Sequence, residues 1–283
     1  MTERRLGGSG ERIPVIGQGT WNVAVRGRAG MRAAAALALG IDLCLTHIDT
    51  AEMYGDGAVE RLVGRVIAGR RGQVFLATKV LPQHASFPGT VRSCEASLAR
   101  LGVDHVDLYM LHWPGRHPIA ETMRALEYLV DAGKARHVGV SNFDVAELRA
   151  AQRALGKHPI VANQVLYHLG DRGIESHLLP YCAREEITLV AYSPFGSGEF
   201  PGPESPGGRV LGGIAARHGA TPHQIALAFL TRHPSVVAIP KATDAEHVRQ
   251  NAAAADLRLD AEEIAAIDRA FPRPPAGTPL GMI

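Results

Sequence analysis

At 283 residues, 46% hydrophobic and 20% charged, the chain can bury one large core and lies just above the size of a single α/β barrel. Its formal charge of +2 is nearly balanced and its 30 basic residues are scattered, which argues against nucleic acid or a membrane surface as partner. Cys44, Cys94 and Cys182 are odd in number and far apart, so they read as small buried hydrophobes in a reducing cytoplasm, not as a disulfide framework or a paired-cysteine site.

Residues 1–10 are polar and Gly-rich, without the apolar core expected of a signal peptide, and no run approaches the length of a membrane span. Arg4 to Pro14 predicts a hairpin turning at Gly7-Gly-Ser-Gly10, and Val15 to Gly19 a first buried strand. Further short apolar runs follow at 45–48, 74–77, 106–111, 135–140, 160–163, 188–192 and 236–239. Amphipathic, Ala-rich or charged segments near 30–40, 57–70, 88–101, 118–132, 144–155, 173–186, 221–232 and 244–255 read as helices between them. Segment 193–208 is too rich in Gly and Pro for regular structure and reads as a lid over a ligand or as a plain connector. Asp260 to Ala270 predicts a short last helix, with a Pro-rich tail from Phe271 to Ile283.

Strict alternation implies parallel strands joined by right-handed crossovers, and eight such units in about 250 residues fit a closed (β/α)8 TIM barrel better than an open sheet. The expectation is one domain over 1–283, with an N-terminal β-hairpin and a short C-terminal helix and tail. A doubly wound dinucleotide fold is the alternative, but no Gly-x-Gly-x-x-Gly follows an early strand.

In such a barrel the strand C-termini face one mouth. Asp49, Tyr54, Lys79 and His112 all stand just past strands there, as do Ser141, Asn142, Gln164, Tyr192 and Lys241. A Tyr phenol is a poor acid at neutral pH, with a free pKa of about 10, but an adjacent ammonium favours the phenolate. Asp49 would keep Lys79 charged and aimed at Tyr54, while His112 hydrogen-bonds a substrate carbonyl oxygen and fixes its distance from the phenol. Such a set protonates an oxygen while something else supplies electrons at carbon; no metal-ligand set is evident, so a bound hydride donor is the natural partner. Trp21 and Trp113 follow the first and fourth strands and would wall a substrate pocket at the same mouth.

Asp49-Thr-Ala-Glu-Met-Tyr-Gly55, Lys79, Leu111-His-Trp-Pro114, Gly139-Val-Ser-Asn-Phe143, Asn163-Gln164, Ala191-Tyr-Ser-Pro194 and Ile239-Pro-Lys241 resemble, in order, the successive motifs of the aldo-keto reductase family. Lys79-Val-Leu-Pro, Gln164-Val-Leu-Tyr-His-Leu and Pro240-Lys-Ala resemble the small bacterial members that reduce methylglyoxal and other short aldehydes. The resemblance implies an NADPH-dependent carbonyl reductase in which Tyr54 is the acid, Asp49 and Lys79 tune it, and His112 orients the carbonyl. It implies that Gly19 and Thr20 border the cofactor, that Ser141, Asn142 and Gln164 hold the nicotinamide carboxamide, and that Tyr192 stacks on the ring. Ser193, Phe195 and Gly196 would begin a loop over the pyrophosphate, and Asn251 would approach the adenine.

Lys241 would pair with the 2′-phosphate, with Thr243 and His247 beyond it. Because Asp244 and His247 stand in a stretch that often carries Ser and Arg, NADH is a second candidate cofactor. Short loops after His112-Trp-Pro114 and after Phe271 imply an open site for small aldehydes, dicarbonyls or aromatic aldehydes. Leu81 loosens that site further, and His84 reads either as a substrate contact or as a solvated loop residue. The protein is expected to act as a cytoplasmic monomer on a small molecule; the competing reading is a cofactor-binding sensor or regulatory subunit with little turnover.

Overall fold

The computed structural model describes residues 2–275 and 277–283. A two-stranded antiparallel hairpin, β1 (Glu3–Arg5) and β2 (Arg12–Pro14), precedes an eight-stranded parallel sheet. The sheet runs in chain order through β3 (Gln18–Gly19), β4 (His47–Asp49), β5 (Phe75–Val80), β6 (Val106–Leu111), β7 (Ala135–Ser141), β8 (Ile160–Leu166), β9 (Thr188–Tyr192) and β10 (Val236–Ala238). It closes on itself: Gly17 N–H donates to Ala238 O at 2.8 Å, Ala238 N–H to Val15 O at 3.0 Å and Gly19 N–H to Pro240 O at 3.1 Å. The expected barrel and hairpin are therefore present, although the strand expected over 15–19 is a bridge at Ile16 followed by the short β3.

Helices fill the crossovers: α1 (Gly27–Asp42), α2 (Ala58–Ile67), α3 (Phe87–Leu101), α4 (Ile119–Asp131), α5 (Val145–Ala154), α6 (Leu178–Arg184), α7 (Pro206–His218), α8 (Pro222–Leu230), α9 (Ala245–Ala254) and α10 (Ala261–Ala270). The helix expected over 173–186 is only α6 behind a 3-10 turn at Gly173–Glu175. The helix α7 was not anticipated, and the irregular segment expected to reach 208 ends at its cap. Ser205 accepts the Gly208 N–H at 3.0 Å and Pro206 opens the first turn, both helix-starting features. Gly207 and Gly208 serve close packing, because a Cβ would strike the Phe271 ring at one and the Gly202 carbonyl at the other.

Side chains alternate across each strand, so every second residue faces the barrel axis. Phe75, Ala77, Leu108, Met110, Ala162, Val190, Val237 and Ile239 form the inner cluster, and Leu6 and Ile13 of the hairpin plug its lower end. At that end the hairpin is pinned by Glu11, which accepts from His137 at 2.6 Å and pairs with Arg136 at 2.9 Å. The opposite alternation, for example Leu76, Val80, Tyr109 and Leu111, packs outward against the helices.

Candidate active site

The same alternation sets the site. Continuing the inward rows upward by two residues leads from His47 to Asp49, from Ala77 to Lys79, from Met110 to His112, from Gly139 to Ser141, from Ala162 to Gln164, from Val190 to Tyr192 and from Ile239 to Lys241. Apolar members of these rows fill the barrel, and the polar ones end at a cavity of about 360 Å³ lined by Asp49, Tyr54, His112, Ser141, Asn142, Gln164, Tyr192 and Lys241. The backbone bends sharply there: Asn22, Asn142 and Ser193, all lining the cavity, have φ of 55°, 60° and 46°. Such left-handed conformations are costly outside glycine and accumulate where a chain must present a particular group.

Lys79 lies beneath the cavity, fully buried. Its Nζ donates to Asp49 Oδ1 at 2.6 Å, to Thr50 O at 2.9 Å and to Tyr54 Oη at 3.4 Å. An ammonium has three N–H groups, so all three are used, and the Tyr54 oxygen, accepting one, keeps its own O–H free for the cavity. Asp49 is likewise engaged on both oxygens, since Gln164 Nε2 donates to Oδ2 at 2.7 Å. Burial lowers the Lys79 pKa below its ordinary value, opposed by Asp49.

The expectation that Lys79 depresses the Tyr54 pKa is not met. Burial, followed by the Asp49 charge, pushes the phenol well above its ordinary value. Burial takes the phenol out of water, and the nearby Asp49 carboxylate further disfavours a second negative charge. His112 packs edge-on to Tyr54 with ring centroids 5.8 Å apart and lies 4.7 Å from Trp113. Burial and then Lys79 pull its pKa down to about 2, so at neutral pH the imidazole is uncharged. Its Nδ1 is buried without a partner, which leaves Nε2 as the ring atom available to a ligand.

Ser141 and Gln164 are register partners on β7 and β8, and Ser141 Oγ donates to Gln164 O at 3.0 Å. Asn142 Nδ2 donates to His112 O at 3.2 Å, and Tyr192 donates to Asn142 Oδ1 at 3.0 Å, knitting this wall to the tetrad. Gly19, Thr20, Ser193, Phe195 and Gly196 line the same cavity, as do Trp21 and Trp113. Lys241 reaches its outer end, exposed and without an ion pair among the described residues.

Thr243, His247 and Asn251 are not brought to the cavity wall. Asp244 caps α9, accepting the Glu246 N–H at 2.9 Å, His247 is exposed on the first turn of that helix, and Asn251 is buried within it. Sequence reasoning did not single out Asn22, Met53, Pro194, Ser197, Gly198, Ile239 and Ile283 as lining residues, although 194, 197 and 198 fall in the segment read as a lid or connector. Met53 lies inside the Asp49–Tyr54 motif and was within reach. Ile283 carries no local signal; the tail before it is tied to the barrel by Arg273, which pairs with Glu175 at 2.8 Å.

A family model described as the aldo/keto reductase family matches residues 15–271. Methylglyoxal reductase YeaE of Escherichia coli (strain K12) is 42% identical over 284 aligned residues, covering 100% of both chains. Among solved structures, an aldo/keto reductase from Klebsiella pneumoniae in complex with NADP and acetate superposes with a TM-score of 0.93 at 42% identity, covering 100% of both chains. Another structure of an aldo-keto reductase from that organism, in complex with NADPH, gives 0.91 at the same 42% identity and 100% coverage of both chains.

Proposed function

The chain belongs to the aldo/keto reductase family, and from that premise we propose that Tyr54 is its general acid, Lys79 and Asp49 the pair that holds it, and His112 the group that orients the carbonyl. The protein is an NADPH-dependent oxidoreductase that reduces carbonyl compounds of the methylglyoxal type to alcohols. The observation that carries the assignment is the use of Lys79: its third N–H rests on Tyr54 Oη at 3.4 Å, so the phenol O–H is left free to donate toward the cavity.

The residues present fit the cofactor. Ser141 Oγ and Gln164 Oε1, on neighbouring strands, offer acceptors for the N–H groups of a primary carboxamide, and Asn142 completes that wall. Tyr192 offers a flat ring beside it, and Lys241 a free cation for the 2′-phosphate. Bound NADPH supplies hydride to the carbonyl carbon. Neutral His112 donates Nε2–H to the carbonyl oxygen, and Tyr54 passes its O–H proton to that oxygen. As charge develops on the phenol oxygen, the Lys79 contact strengthens, which offsets the high resting pKa of Tyr54. Trp21, Trp113 and Met53 give the substrate side an apolar wall, which suits small neutral carbonyls.

Thr243 and His247 would extend the phosphate end, and Asn251 the adenine end. We read the chain as one domain over 1–283, a cytoplasmic monomer that engages no nucleic acid; scattered charge and unpaired cysteines support that reading. No helix among the described residues is long and apolar enough to cross a membrane.

Tyr54→Phe tests the assignment. Methylglyoxal turnover should fall by about 10²- to 10⁴-fold while NADPH binding is kept, because only the proton donor is removed. Turnover at the wild-type rate would reject Tyr54 as the acid.

A further inference from the structure

The contact between Lys79 and Tyr54, at 3.4 Å, is at the long limit of a hydrogen bond, so a few tenths of an ångström decide whether it exists. Lys79 is fixed within β5, but Tyr54 lies on the loop after β4. Register pairing between the two strands ends at Asp49 and Ala77, and Thr50 N–H still donates to Ala77 O at 2.9 Å. Past that point the main chain offers β5 only the Glu52 N–H, at 3.4 Å from Lys79 O. The Glu52 side chain takes over. Its Oε1 accepts the Leu81 N–H at 2.7 Å and the His84 Nδ1 at 2.9 Å, and the side chain is 8% exposed. Glu52 is two residues before Tyr54, and Leu81 is two residues after Lys79.

We propose that Glu52 is a positioning residue for the reduction: by carrying the β4 to β5 connection one step past the last main-chain bond, its carboxylate sets the distance between Lys79 and Tyr54. The proposal rests on Tyr54 being the acid. Glu52 does not touch the phenol, so its effect passes through the loop. An oxygen at this position suffices, since the essential partner is a backbone N–H. His84 is thereby given a role other than substrate contact: it donates to the same oxygen from the solvent side.

The test uses the full chain with NADPH and methylglyoxal. Glu52→Ala should lower kcat by about 10- to 100-fold, the size of effect expected when a catalytic group is displaced by about 1 Å, with the NADPH dissociation constant unchanged within about twofold. Glu52→Gln keeps an acceptor oxygen and should restore kcat to within about threefold of wild type. Leu81→Pro removes the donor from the other side, and the φ of −68° at Leu81 already suits proline. Its loss should match that of Glu52→Ala, and the double variant should lose no more than either, as two ends of one contact require.

Wild-type kcat in Glu52→Ala overturns the proposal, and so does a loss in which NADPH affinity and thermal midpoint fall together with kcat. A Glu52→Gln variant as impaired as the alanine, or additive losses in the double variant, overturns it as well. Should Glu52→Ala not fold, Glu52→Gln and Leu81→Pro decide. Tyr54→Phe is run alongside: if it is inactive while Glu52→Ala is normal, only the role of Glu52 falls, whereas activity in Tyr54→Phe removes the acid assignment beneath it.

Discussion

Removing the imidazole of His47 should stabilise the barrel and flatten its response to acid. His47 opens β4 inside the barrel, is 1% exposed, meets Phe75 edge-on at 5.3 Å, and has no hydrogen-bond partner at either ring nitrogen. Burial, partly opposed by Asp49, lowers its pKa from 6.5 to about 4. Because the unfolded chain then binds the proton more tightly than the folded one, the titration of this group costs little above pH 6.5 and costs increasing stability as pH falls toward 4. The gap between 6.5 and about 4 corresponds to about 3 kcal/mol in full, of which about 2 kcal/mol is already lost at pH 5.

His47→Leu keeps similar volume, removes the titration, and deletes two unsatisfied polar atoms that cost about 1–3 kcal/mol. Urea unfolding of both proteins at about pH 7.5 and pH 5 measures the effect. Wild type should lose about 2 kcal/mol more than the variant between these conditions; His112 titrates in both and cancels. Equal losses would refute the reasoning, because they would mean that the folded imidazole accepts its proton as readily as the unfolded one.

Asp49→Asn leaves the Lys79 charge, on a side chain 0% exposed, without its carboxylate, and should lower unfolding free energy by about 3–5 kcal/mol in a urea titration as well as impair turnover. His112, held near a pKa of about 2, stays neutral through the working range, so the kcat profile between about pH 5 and 8 should show no acid limb that His112→Gln abolishes. Lys241→Ala should weaken NADPH binding by about 10- to 100-fold and leave NADH nearly unchanged; equal losses for both cofactors by fluorescence titration would mean that another group meets the 2′-phosphate.

The alternation of short apolar runs with amphipathic segments was enough to count the parallel strands and to specify a barrel, since each strand must be covered by the helix that follows it. Once strand ends were known, the period of two also fixed which residue of each row points toward the mouth: Asp49, His112, Gln164, Tyr192 and Lys241 line the cavity, and Lys79 lies just beneath it. The helix α7 was legible in Ser205-Pro206 and in Gly219 beyond it, but Gly207 and Gly208 were read as part of an irregular segment when they serve contact with Phe271 and Gly202.

Other features lay outside any local pattern. The direction of the Tyr54 shift follows from burial first and the Asp49 charge second, which is a matter of packing and not of residue type. The Glu52 contact with Leu81 joins positions 29 residues apart, and Ile283 reaches the cavity from the far end of the chain. Sequence periodicity dictates which face a side chain takes, because that follows from backbone geometry alone. Distances between loops, and the charges that survive once groups are buried together, are set by packing across the whole barrel, and only the tertiary structure decides them.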